Sequence, residues 1–340
     1  MSAALARVRC VVAAGRRIAD AGDPLGREAR ERLPAATALS PESVEVALRD
    51  HLETNPSQEE LATLVARAAS GATTPSPAPE GPPAHPAPSP TASEPTLAHP
   101  TARPPRCHVV LSANVCTAAL RAIAIAVATS PTVVVKPSRR DPVLAELLVR
   151  ALTADPTFAA AAGTIALVPA IAPAPGDEVH VYATDETIRT IAATLPPGAS
   201  LRAHGTGFGI ALVEARADIT EAASALALDV AAFDQRGCLS PRVALVLGDP
   251  PRAATFARAL ASELEHLARR RPRGPLDAAT RAELRTYVAT TQALGACHEG
   301  ESFVVGLDES PAALVLPPAA RAVHVVPATP ATTAALLAPW

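Results

Sequence analysis

A chain of 340 residues is long enough for one large or two ordinary domains with a sizeable core. Its composition is globular, 49% apolar and 2% aromatic, and a net charge of -3 gives no footing for a nucleic acid or other polyanion. Five cysteines, with no CxxC pair and no Cys/His cluster at zinc spacing, point to no metal. Their odd number, without a convincing secretion signal, places the chain in a reducing cytoplasm. No stretch reads as a membrane span, because the most apolar one, AALRAIAIAVATSPTVVV, contains Arg121 and Pro131.

Residues 1–71 read as helices. RVRCVVAAGRRIA, DPLGREARERL, SPESVEVALRDHLE and SQEELATLVARAA carry apolar residues at three- and four-residue spacing, with Ser40 or Asn55 as caps. From residue 72 to 106 the character changes: 12 of the 36 prolines fall here, mixed with Ser, Thr, Ala and Gly. Such a segment buries no core and reads as an extended, disordered linker.

From Cys107 strands and helices alternate. HVVLSA, TVVVKP, TIALVPA, EVHVYA, FGIALVEA and PRVALVLG read as strands. The segments from VCTAALRAIAIAVA to LDAATRAELRTYVATTQAL read as the intervening helices. One of them, ITEAASALALDVAAFDQ, leads directly into Cys238. SFVVGLDE, AALVLP and AVHVVPA close the pattern as strands. Uniformly apolar strands between helices imply a parallel sheet covered on both faces, an α/β fold. The boundaries expected are a first α/β domain over 107–205 and a second over 206–340.

Two places carry chemistry. In FDQRGCLSP, Cys238 follows a glycine at the junction between a long apolar helix and a strand. A thiolate there can accept an acyl group if its pKa is lowered and it is accessible, and Arg236 stands two residues away. A buried structural cysteine is the competing reading. In LSANVCTAALRAIAIAVATSPTVVVKPSRRDP, Asn114 follows one strand and Lys136 and Ser138 lie at the end of the next, the edge where open α/β sheets bind ligands. Lys136 is the chain's one lysine among 30 basic residues. Asn114 could equally be a turn or cap residue, and Arg139 and Arg140 a solvated turn.

These two segments resemble the bacterial fatty acyl-CoA reductases of LuxC type, a branch of the aldehyde dehydrogenase superfamily. The resemblance is weaker over residues 1–70. It implies an aldehyde dehydrogenase-like fold: a parallel Rossmann-type cofactor sheet, an α/β catalytic domain and a helical N-terminal region. It implies Cys238 as nucleophile, Asn114 as oxyanion donor and Lys136 on the adenosine ribose. Thr184, in EVHVYATDETIRTI, falls where a Ser or Thr contacts the cofactor phosphate, with Asp185 and Glu186 as helix caps. Many NAD-preferring relatives carry glutamate where this chain has Arg139; Ser138 and Arg139 would instead welcome a 2′-phosphate, so NADPH is expected. His204 stands near the general-base glutamate of hydrolytic members, whose absence fits acyl exchange with CoA.

The implied activity is reduction of a long-chain fatty acyl-CoA to the aldehyde through a thioester on Cys238. Alternatives are an NADP-dependent aldehyde dehydrogenase, a catalytically silent assembly subunit, or a cofactor-free acyltransferase. A homo-oligomer, or a partner acyltransferase or synthetase, stays open. Relatives also continue beyond the point matching AVHVVPATPATTAALLAPW, which suggests a short C-terminal region.

Overall fold

The computed structural model describes residues 2–69 and 104–338. Most of the expected Pro-rich linker therefore lies outside the described residues.

Four helices open the chain: α1 (Ala3–Ala19), α2 (Pro24–Thr37), α3 (Pro41–Asp50) and α4 (Gln58–Ala69). Each start has a local cause. The Ser2, Asp23 and Ser40 side chains accept from the amides of Leu5, Leu25 and Ser43, and Pro24 and Pro41 occupy first-turn positions where no amide is needed. Ahead of α4 the cap is Ser57 and not Asn55. The Glu60 amide donates to Ser57 Oγ at 3.2 Å, and the Ser57 amide donates to the Glu60 carboxylate at 2.7 Å. This reciprocal pair needs a carboxylate three residues on, which Ser57 has in Glu60.

The first sheet is entirely parallel. It comprises β1 (Cys107–Val110), β2 (Thr132–Lys136), β3 (Thr164–Leu167), β4 (Glu178–Tyr182) and β5 (Ser200–His204) in the order β3-β2-β1-β4-β5. The chain moves outward from β1 through β2 to β3, then returns to the other side of β1 for β4. The carboxyl ends of β1 and β4 therefore flank a topological switch point. Two helices, α5 (Ala118–Thr129) and α6 (Val143–Thr153), cover one face. They share a single apolar core with the N-terminal helices, running from Val8, Ile18, Leu33 and Leu48 to Ile123, Leu147, Val109 and Val135. Phe158, from the short α7 (Pro156–Ala160), completes that core. Buried Arg7 ties α1 to it by donating to the carbonyls of Val127 (2.8 Å) and Ala161 (3.1 Å). The other face is covered by α8 (Asp185–Thr194) through Ile188 and Ile191.

The second sheet follows the order β6-β7-β10-β9-β8, with β6 (Gly209–Val213), β7 (Pro241–Leu247), β8 (Gly295–Gly300), β9 (Phe303–Asp308) and β10 (Ala322–Ala328). All pairs are parallel except the β8–β9 hairpin. On one face lie α9 (Ile219–Ala231) and α10 (Pro250–Arg270), contributing Leu226, Phe256, Leu260 and Leu264. On the other lie α11 (Ala278–Leu294) and α12 (Pro330–Leu337).

The segment 312–317, expected as a strand, pairs with none. Prolines at 311, 317 and 318 bracket it and supply no ladder donors. Its Leu314 and Leu316 pack under β7 and β10 instead. Conversely, β5 and β8 lie outside the expected strands: β5 (SLRAH) alternates but is only five residues long, and β8 (GACHEG) has no alternation; both pair along neighbouring strands.

Candidate active site

Cys238 sits just after a strained turn. The apolar helix that leads to it was expected to run through Gln235, but α9 stops at Ala231. Phe233, Asp234 and Gln235 then adopt φ of +51°, +52° and +65°. Three consecutive left-handed residues without a glycine cost about 1–3 kcal/mol each unless their surroundings hold them. The surroundings do so through buried polar side chains. Gln235 Nε2 donates to the carbonyls of Pro241 (2.6 Å) and Ala322 (2.7 Å), and its Oε1 accepts from the amides of Ala322 (2.8 Å) and Ala320 (3.3 Å). Asp234 Oδ1 accepts from Arg321 Nε at 2.9 Å, and its Oδ2 accepts from the Gly274 amide at 3.0 Å.

Arg236 braces the same turn. Its guanidinium donates to the carbonyls of Phe233 (3.1 Å) and Thr37 (2.6 Å). These bonds make Arg236 a support for the backbone of the turn. The chain then reverses over Gly237–Ser240, closed by the Ser240 amide donating to the Gly237 carbonyl at 3.1 Å. Cys238 and Leu239 occupy the tip, both exposed, Leu239 at 83%.

Two other segments meet this tip. A Cβ on Gly237 would lie 3.5 Å from Val115 Cγ2, so the turn rests beside the loop after β1 that carries Asn114. A Cβ on Gly207 would lie 3.5 Å from the Cys238 carbonyl oxygen, and one on Gly209 would overlap the Leu239 carbonyl. The Gly209 amide also donates to the Ser240 carbonyl at 3.0 Å. The glycines of HGTGFG therefore let the β5–β6 connection run against the turn, where a Cβ at residue 209 has no room.

The five thiols divide sharply. Cys10, Cys107 and Cys116 are buried and Cys297 is half-buried; Cys238 alone is exposed. Burial pushes Cys10 to about 11 and Cys116 to about 12, and raises Cys107 and Cys297 as well.

The remaining sequence candidates line the carboxyl edge of the first sheet. Lys136 ends β2 beside the β1 exit, where the Leu111 amide donates to its carbonyl at 3.0 Å. Among the described residues, the side chains of Asn114, Lys136 and Arg139 have no internal partner. Ser138 Oγ accepts from the Arg140 amide at 3.3 Å. Thr184 caps α8, accepting from the Thr187 amide at 3.4 Å. The expected capping by Asp185 and Glu186 is not what occurs: Asp185 accepts from the Thr206 amide at 3.0 Å instead. His204 ends β5, its ring stacked on Tyr182 at 4.3 Å. The residue is otherwise exposed; loss of water from the ring, then the neighbouring charges of His180 and Arg202, hold its pKa below the ordinary imidazole value.

Sequence reasoning missed Asp141. It is 8% exposed, its Oδ1 has no partner, and burial raises its pKa to about 6 against the Val143 amide and, more weakly, the charge of Arg236. It also missed the clamp by Asp234, Gln235 and Arg321. The visible signal was two polar residues closing an otherwise apolar helix.

Two clefts lie away from Cys238. One, of about 350 Å³, sits between α11 and the β8–β9 hairpin; another, of about 1160 Å³, lies among α1, α4 and α5. Among the described residues no group of His, Cys, Asp or Glu could hold a metal, and no helix is long and apolar enough to cross a membrane.

The helical N-terminal region and two α/β layers form an aldehyde dehydrogenase-like fold, which solved structures share. An NAD-dependent benzaldehyde dehydrogenase from Corynebacterium glutamicum is 17% identical, with a TM-score of 0.66 over 96% of this chain and 70% of that one. A Mycobacterium tuberculosis aldehyde dehydrogenase complexed with NAD+ is 16% identical, with a TM-score of 0.63 over 98% and 71%. Proline utilization A from Bradyrhizobium japonicum is 17% identical with a TM-score of 0.63, and the chain spans only 35% of its length. No curated protein matches the chain. The model of the acyl-CoA reductase (LuxC) family matches residues 94–340, and the chain belongs to that family. Family and fold together define an oxidoreductase acting at the aldehyde level.

Proposed function

We propose that the protein reduces a long-chain fatty acyl-CoA to the aldehyde with NADPH, through a thioester on Cys238. One observation carries the reading. Cys238 is the single exposed thiol, on a braced turn where the two sheets meet, while three others are buried, Cys297 is half-buried, and all four are pushed toward the neutral form.

The Cys238 thiolate attacks the acyl-CoA carbonyl. The oxyanion takes hydrogen bonds from the Asn114 side chain and the Cys238 amide. The bond to the CoA sulfur breaks, CoA leaves as a thiol, and the acyl group stays on Cys238. His204, whose surroundings favour the neutral imidazole, is suited to handling the proton that CoA takes up. His204 stands near where hydrolytic relatives carry their water-activating glutamate, and the nearby Asp185 carboxylate is engaged by the Thr206 amide, which favours release to CoA over hydrolysis.

A nicotinamide cofactor fits the carboxyl edge of the first sheet by the chemistry of the donor set. Lys136 would hold the adenosine ribose, Ser138 and Arg139 a 2′-phosphate, and Thr184 with the α8 N-terminus the pyrophosphate. When bound, it supplies the hydride that turns the acyl group into the aldehyde. The Cys238 thiolate is then released. Overall, acyl-CoA, NADPH and a proton give aldehyde, CoA and NADP+.

Intact-protein mass tests this. Incubation with a long-chain acyl-CoA should add one acyl group to wild type and none to Cys238→Ala, and NADPH should discharge it as aldehyde. An adduct that NADPH leaves in place points to an acyltransferase. No adduct at all sinks the nucleophile assignment and leaves a non-catalytic assembly role.

A further inference from the structure

The mechanism above leaves the left-handed turn and its clamp without a role. Asp234 and Arg321 are both buried, and both are left-handed, at φ +52° and +57°. Arg321 Nη2 lies 2.7 Å from Asp234 Oδ1, beside the 2.9 Å bond from Nε. Arg321 also donates to the Arg271 carbonyl at 2.7 Å, which anchors the pair to the end of α10. The Arg236 guanidinium approaches the far carboxylate oxygen to 3.7 Å.

Part of this clamp comes from the N-terminal helices. The carbonyl that Arg236 holds belongs to Thr37, at the end of α2. Gly274, whose amide donates to Asp234, packs so closely on the Ala38 carbonyl that a Cβ there would overlap it. The His51 ring lies 5.3 Å from the Phe233 ring. Thr37, Ala38 and His51 all precede residue 94, where the match to the family model begins.

We propose that Asp234 is a positioning residue: its ion pair with Arg321 and its bond to Gly274 hold the left-handed turn that presents Cys238, and the N-terminal helices form one wall of that clamp. This rests on Cys238 being the nucleophile. A left-handed run of ordinary residues relaxes toward right-handed or extended backbone once its side-chain bonds are cut. Relaxation at residues 233–235 would move residue 238 relative to Asn114, and an error of about 1 Å in a reacting group costs roughly a hundredfold in rate.

The test uses the full-length protein with Asp234→Asn. Asparagine tolerates left-handed backbone and keeps the acceptor for Gly274, while removing the charge. Asp234→Asn/Arg321→Gln also removes the orphaned cation, in case the single variant fails to fold. Leu260→Ala, a cavity in the second core, serves as a destabilised control. The readouts are kcat and KM for acyl-CoA per folded molecule, and amide hydrogen exchange over 233–240.

We expect kcat to fall about tenfold to a hundredfold, with KM within about threefold of wild type and faster exchange confined to the turn. Leu260→Ala should show neither change. Wild-type kcat in the Asp234 variants, or a loss no larger than that of Leu260→Ala, overturns the positioning role. Cys238→Ala separates the two readings. If it retains turnover, the nucleophile assignment falls. If it is inactive while Asp234→Asn is not, the positioning role falls alone.

Discussion

The His204 imidazole lies flat on the Tyr182 ring, centroids 4.3 Å apart and planes 3° from parallel, where β4 and β5 end side by side. Stacking fixes the ring plane and removes water from one face, which disfavours the imidazolium. His204→Phe keeps the stack and removes the proton. If His204 serves CoA exchange, steady-state turnover of His204→Phe should fall on the order of a hundredfold. Full activity in that variant would reduce His204 to a packing residue.

Gly209 faces the Leu239 carbonyl with no room for a Cβ. Gly209→Ala must therefore push the Cys238 turn away from β6. The expected cost is about 1–3 kcal/mol of stability, by overpacking against backbone that cannot rotate aside. Chemical denaturation measures it, and hydrogen exchange should locate the change at residues 237–240. A neutral effect would mean that the turn yields freely.

Asp141 and His324 give opposite pH dependences. The folded-state pKa of Asp141 is raised from 3.8 to about 6 by burial. Its contribution is therefore fully present below pH 4 and lost as pH rises through 6. Asp141→Asn should accordingly raise stability above pH 6, by on the order of 1–3 kcal/mol, and change little below pH 4. His324 is buried beside Tyr287, whose hydroxyl lies 3.1 Å from Nδ1, and burial lowers its pKa from 6.5 to about 4. Its contribution is present above 6.5 and lost as pH falls toward 4. His324→Phe should flatten that acid limb by on the order of 1–3 kcal/mol. Melting temperatures from pH 4 to 8 separate the two effects.

The α/β alternation was legible because buried parallel strands such as FVVGL and RVALVL are apolar on both faces and the helices between them are periodic. Cys238 and the Lys136 segment stood out as local motifs. The clamp was not legible, because it is long-range: Asp234 meets Arg321 across 87 residues, and Arg236 meets Thr37 across 199. No local pattern announces a left-handed FDQ turn after a helix that could have continued. Nor does local sequence show β8, whose strand conformation comes from the β9 strand it pairs with; the alternation of SLRAH in β5 was present but short.

Cofactor choice should reside in the exposed turn after β2. Arg139 has no internal partner among the described residues, and the Ser138 hydroxyl already accepts from the Arg140 amide, which leaves its proton free to donate. A guanidinium and a hydroxyl donor suit a 2′-phosphate, whereas a carboxylate repels one and accepts from a bare 2′-hydroxyl. Wild type should therefore show a higher kcat/KM with NADPH than with NADH. Arg139→Glu should lower the NADPH value by about tenfold to a hundredfold, as loss of a charge-assisted contact to phosphate implies, and raise the NADH value. Because Arg139 is exposed and its change breaks no internal bond, the melting temperature should hold, so a shift in preference reads the contact itself. Equal catalytic efficiency with both cofactors in wild type, or an unchanged ratio in Arg139→Glu, would place the discrimination outside this turn.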